Sequence, residues 1–116
     1  MELRARTEGN GVLVLELRED HLDAGNVREF RDLAGSMIQD CSRVVLDMAG
    51  VKFVDSSGLG ALISLLRQLN ARQGDLVLCE MAQTVRALFE LMRMHRVFKI
   101  QQHRHDAVRT LDPQTS

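Results

Sequence analysis

The sequence predicts a single α/β domain built on a mixed, mainly parallel β-sheet of four to five strands covered by helices. Short runs rich in Val and Leu alternate with longer segments whose apolar residues recur at helical spacing, the pattern of βαβ units. The runs at 43–48 and 75–80 are apolar almost throughout, as strands buried on both faces must be. A length of 116 residues fits one core, since domains cluster at about 100 to 150 residues.

Each element follows in order. Val12 to Leu17 reads as a strand after the turn-like Gly9-Asn10-Gly11, pairing as a hairpin with the poorer strand Leu3 to Thr7 at one edge of the sheet. From Ala24 to about Gln39, Val27, Phe30, Leu33, Ala34, Met37 and Ile38 form one stripe of an amphipathic helix, with Asp23 as its candidate N-cap. Arg43 to Met48 is a central strand. Leu59, Leu62, Ile63, Leu66 and Leu69 mark a second helix, and Asp75 to Glu80 a strand parallel to the last, the two joined as a right-handed crossover. Val85, Leu88, Phe89 and Met92 mark a third helix with Met92 in its core stripe, Val97 to Ile100 a last strand, and 106–111 a short helix. The order is β-β-α-β-α-β-α-β. Residues 1–112 form the domain, and 113–116, from Pro113 onward, a polar C-terminal tail.

Composition narrows the function. Lys and Arg total 15 against 16 Asp and Glu, so no overall field recommends direct nucleic acid binding or an acidic membrane. Four phenylalanines and no Tyr or Trp leave few stacking platforms. Cys41 and Cys79 stand far apart outside any metal or CxxC spacing, as reduced thiols of a cytoplasmic protein do. Neither a cationic-then-apolar leader nor an apolar span of about 18 residues is visible, so no membrane insertion is expected. His95, His103 and His105 supply no closed ligand set and read as surface residues; no metal or cofactor is expected.

The chemistry concentrates in Phe53-Val54-Asp55-Ser56-Ser57-Gly58-Leu59-Gly60, where an acid, two hydroxyls and two glycines interrupt the apolar pattern at the start of the second helix. The first N–H groups of a helix lack partners within it, and Asp55, Ser56 and Ser57 are the residue types that satisfy them. Capping accounts for one or two of the three. Gly58 and Gly60 lower helix propensity but allow another surface to approach the backbone. A serine at a helix N-terminus is also a favourable place for a phosphate, because dipole and free N–H groups stabilise the added charge. A nucleophilic serine would need a GxSxG turn or a recognisable base, and a nucleotide loop would need GxxxxGK[ST]; both patterns are absent. No catalytic constellation is visible, and the chain does not read as an enzyme.

The stretch "VVLDMAGVKFVDSSGLGALISLLRQLNARQGDLVLCEM", with its strand, Asp-Ser-Ser-Gly-Leu-Gly signature, helix and strand, resembles the STAS-domain anti-sigma-factor antagonists, as does "VRALFELMRMHRVFKI" after it. The resemblance implies a bacterial partner-switching protein that binds an anti-sigma factor/serine protein kinase, is phosphorylated by it and is restored by a serine phosphatase. It implies phosphorylation at Ser56, directly after Asp55, and a partner surface of Asp20, Asp55, Ser56, Ser57, Gly58, Leu59 and Gly60. The match departs from the family at the exit of the second strand, where Leu17 replaces a common glycine before Asp20. The other reading is a STAS accessory subunit of a transporter complex, for example in lipid transport, that docks through the same helix start without being phosphorylated.

Overall fold

The computed structural model describes residues 1–112, so the polar tail expected at 113–116 lies outside the described residues. The hairpin comes first: β1 (Leu3–Glu8) and β2 (Val12–Leu17) pair antiparallel through a turn in which Gly9 and Gly11 both take positive φ, at 59° and 87°. This left-handed conformation is the reason glycine stands there. Then β4 (Arg43–Asp47) adds parallel to β2, β6 (Asp75–Cys79) to β4, and β7 (Lys99–Gln101) to β6, giving a five-stranded sheet ordered β1-β2-β4-β6-β7. The fold is the mixed, mainly parallel α/β sheet that the sequence predicts.

Two short strands were not legible in the sequence. β3 (His21–Leu22) and β5 (Phe53–Val54) pair parallel as a separate two-stranded sheet, with His21 opposite Phe53 and Leu22 opposite Val54. Two residues carry too little periodicity to be read as a strand. Leu22 and Val54 are nevertheless buried, so this ladder is anchored in the core.

The helices are α1 (Val27–Met37), α2 (Ser56–Asn70), α3 (Gln83–Leu91) and α4 (Arg104–Leu111). Alternation along the strands divides the core. Leu13, Leu15, Leu17, Val44, Leu46, Leu76 and Leu78 pack with Phe30, Leu62, Leu69 and Phe89 from the first three helices. Val12, Val14, Val45, Val77 and Cys79 face the other way, under Ala107 and Val108 of α4. The central strands are therefore buried on both faces, and burial pushes the Cys79 thiol up to about 12.

Three expectations need correction. The first helix starts at Val27 rather than Ala24, because Asp23 does not cap it: its carboxylate accepts from the Gly25 N–H at 2.9 Å, and the N-cap residue is Asn26. Asn26 ties that turn down, donating to the His21 carbonyl at 2.9 Å and accepting from the Asp23 N–H at 3.0 Å. Met92 is 44% exposed rather than core, because α3 ends at Leu91 and the chain turns away through Arg93 in the left-handed region. Met94 packs against the core instead. The last strand starts at Lys99, after a 3₁₀ turn over Met94–Arg96 that leaves Val97 exposed.

One cation holds α4 to the sheet. The Arg104 guanidinium lies 3.2 Å from Asp47, 3.5 Å from Glu16 and 3.6 Å from Glu8, carboxylates of three different strands, while its backbone N–H donates to Glu80 at 2.7 Å. Burial pushes the Asp47 carboxyl up, against the pull of the Ala49 N–H and of Arg104. Replacing Arg104 with Met leaves these acids facing one another half-buried, so Arg104→Met is expected to lower stability by about 1 to 3 kcal/mol in denaturant melts at pH 7. The penalty is repulsion between ionised carboxylates, so it should shrink as pH falls toward about 4 and they protonate.

Candidate functional site

The start of α2 is built around one carboxylate. Asp55 has extended backbone (φ −100°, ψ −174°) and is the N-cap residue; its side chain accepts from the Gly58 N–H at 2.9 Å. Its other oxygen accepts from the Ala24 N–H, 3.1 Å away across the chain in the loop after β3. Asp55 thus closes the helix end and fastens the loop that leads into α1. The Gly58 N–H, opposed by some desolvation and joined by the N–H groups of Ala24 and Ser57, holds the Asp55 carboxyl below the usual carboxylate range.

The glycines have different jobs. A Cβ on Gly58 would collide with the Leu22 carbonyl oxygen and stand 3.0 Å from Val54 Cγ1. The surface that packs against Gly58 is therefore the chain's own β3. Leu59 is 3% exposed with its side chain in the core, as its place in the apolar stripe of this helix suggests, because the 3.6-residue period turns it toward the sheet. Gly60 is different. Nothing lies closer to its would-be Cβ than Arg31 Nη2 at 3.7 Å, an ordinary contact, and no positive φ requires a glycine.

Ser56 is the first residue of α2 and is exposed; Ser57 beside it is partly covered. Capping accounts for neither hydroxyl, because Asp55 does that work. Asp20 is brought to the same loop cluster: its carbonyl accepts from the Lys52 N–H at 2.7 Å, one residue before Phe53. Its carboxylate lies 2.7 Å from His21 Nδ1, and the His21 Nε2 stands 3.8 Å from Asp23. The hydrogen bond that the Asp20 carboxylate accepts from the His21 ring pushes His21 up and that carboxyl down. Leu17, at the position where the resemblance departs, is buried in β2 and so does not reach this surface.

One exposed side chain here was missed. Phe53 is 54% exposed although it stands in an apolar run, because the two-residue ladder turns Val54 inward and Phe53 outward. Its signal was present in the sequence as one of only four aromatics, but its direction depends on a strand too short to predict.

The STAS domain family matches residues 4–107 of the chain. The chain belongs to that family. An anti-sigma F factor antagonist of Paenibacillus polymyxa is 28% identical over 104 residues, 88% of each chain. BtrV of Bordetella bronchiseptica, named as a candidate anti-sigma factor antagonist, is 34% identical over 76 residues, 66% of each chain. Among solved structures, an anti-sigma-factor antagonist (STAS) domain protein of Planctomyces limnophilus superposes with a TM-score of 0.85 at 19% identity, over 94% of this chain and 97% of that one. SpoIIAA, a Bacillus cell fate determinant solved in its phosphorylated form, gives 0.68 at 20% identity over 94% and 99%. At those identities the likeness is one of fold. No helix among the described residues of this STAS domain is long and apolar enough to cross a membrane.

Within this STAS domain the two glycines should separate in melting experiments. Gly58→Ala is expected to cost about 1 to 3 kcal/mol through forced displacement of β3, whereas Gly60→Ala should be neutral or stabilising by up to about 1 kcal/mol. Equal losses would refute the distinction. Asp55 predicts a pH dependence: its carboxyl titrates lower folded than unfolded, so its stabilisation is present above the unfolded value near 4 and lost as pH falls through the folded one. The melting-temperature gap between wild type and Asp55→Ala should be widest above about pH 5 and close toward the acid end.

Proposed function

We propose that this STAS domain is an anti-sigma-factor antagonist of a bacterial partner-switching pathway. Unphosphorylated, it binds an anti-sigma factor that is also a serine protein kinase; phosphorylation of Ser56 releases it, and a serine phosphatase restores it. The observation that carries the reading is the exposure of Ser56 directly after Asp55, at a helix start already capped by that aspartate. Its hydroxyl has no structural duty to lose. The names of the bacterial relatives support the antagonist role. On this reading the chain is a substrate and binding module in the cytoplasm rather than an enzyme, and needs no cofactor.

The partner surface comprises Asp20, Ser56, Ser57 and Gly60 with Phe53 beside them, while Asp55, Gly58 and Leu59 act from beneath by shaping it. A phosphate adds about −1.5 to −2 charges at pH 7. At the first turn of α2 it faces the dipole and free N–H groups, worth roughly 0.3 to 1 kcal/mol, so the fold has no reason to melt. In the complex the same charge is stripped of water, which costs several kcal/mol, and each 1.4 kcal/mol weakens affinity about tenfold. The penalty falls on binding.

The test is a pull-down from native lysate with phosphosite mapping, followed by calorimetry on both forms. Capture of an ATP-binding serine kinase, modification at Ser56 and a loss of affinity of about a hundredfold or more are expected. Capture of transporter subunits with no modification, or unchanged affinity after stoichiometric phosphorylation, would overturn the switch. Ser56→Ala should still bind. Phe53→Ala should weaken the complex by about tenfold or more while the melting temperature holds, since a half-exposed aromatic at an interface acts as an anchor.

A further inference from the structure

Gly60 is a glycine that the fold does not need. It has no positive φ, and the space a Cβ would occupy is open apart from one group, the Arg31 guanidinium at 3.7 Å. A helical glycine is less favourable than alanine by up to about 1 kcal/mol, so this position gives up helix stability and leaves that space open. Arg31 itself is exposed on α1 and has no carboxylate within ion-pair distance among the described residues. Its guanidinium extends from α1 onto the outer face of α2.

The geometry of α2 says what lies next to it. Residues four apart on a helix stand one above the other, about 5 to 6 Å between Cβ atoms, and the Cα–Cβ direction of the later one tilts back toward the earlier. The Cβ position of Gly60 therefore points toward the turn that carries Ser56. With glycine there, position 60 places no side chain between Arg31 and that turn.

Resting on the reading that Ser56 is phosphorylated, we infer that Arg31 is the residue that receives the phosphate, folding across Gly60 to pair with phosphoserine 56 within the same molecule. An arginine fork offers parallel N–H donors that match two phosphate oxygens, and charge-assisted bonds of this kind are about twice as strong as neutral ones. The pairing gives the phosphorylated form a resting state of its own. The phosphate is partly neutralised by its own chain, and the cation is withdrawn from the surface offered to a partner, so phosphorylation changes two charges on that face rather than one. Arg31 is a positioning residue in this scheme and touches no reacting atom of the kinase step.

The experiment installs phosphoserine at position 56 of the full chain by genetic encoding, so that it needs no kinase. Titration of the phosphate by ³¹P NMR is expected to give a second pKa about 0.5 to 1 unit below the free value near 6 in the wild-type chain. In Arg31→Gln the value should return toward 6. Arg31→Gln should also lower the melting temperature of the phosphorylated chain and leave that of the unphosphorylated chain unchanged. Gly60→Val, which fills the space over the first turn, should reproduce the titration result. Identical phosphate pKa values in wild type and Arg31→Gln, or equal melting shifts with and without phosphate, would overturn the role of Arg31. Failure of Ser56 to be phosphorylated in the cell would overturn the switch, and the encoded phosphoserine judges the clamp separately from it.

Discussion

The carboxylate of Asp55 is the interaction on which the site depends. One oxygen takes the Gly58 N–H and the other the Ala24 N–H, so a single side chain closes the N-terminus of α2 and fixes the loop that launches α1. Beneath it the Leu22 carbonyl accepts the Asp55 N–H at 3.3 Å and lies against the bare Cα of Gly58. The first turn of α2 is thus held from two sides by the β3 segment. Ser56 is presented outward on a turn whose backbone is tied down at Asp55 and Gly58.

That arrangement is possible because the sheet has a deep face and a shallow one. The three helices α1, α2 and α3 bury the large residues Phe30, Phe89, Leu62 and Leu69 on one side, and the buried pair Leu22 and Val54 carries the rim of the site into the same core. The other side is a stripe of valines closed by a helix of eight residues and by the Arg104 cluster. The two faces hold by different means. The deep one rests on apolar burial, which is insensitive to pH, and the shallow one partly on ion pairs between Arg104 and carboxylates.

Around Ser56 the charges are of both signs and close together. Asp20, Asp23 and Asp55 supply acid, with His21 between the first two, while Lys52, just before β5, and Arg31 of α1 supply cations. A phosphate placed there meets a local balance rather than a uniform field. A net charge of −1 adds no strong overall field, so the character of this face is set by its individual groups.

The order of the five main-sheet strands and of the helices, the doubly buried centre of the sheet and the helix start at Asp55 were legible in the sequence, because period, turn residues and capping chemistry act over a few neighbouring residues. The family was legible too, since its signature is contiguous. What each signature residue does was not. Gly58 and Gly60 read alike in sequence, and only the packing of Leu22 makes one of them a steric necessity and leaves the other open. Phe53 likewise leaves the place its apolar neighbours suggest, turned out by a ladder of two residues. Asp23 and Asp55 were both capping types, and the tertiary fold gave only Asp55 a helix to cap and a second loop to hold. Sequence determined the local preferences of this protein; contacts between segments about 30 residues apart decided which of those preferences face inward and which face outward, because direction relative to a core exists only once the core has formed.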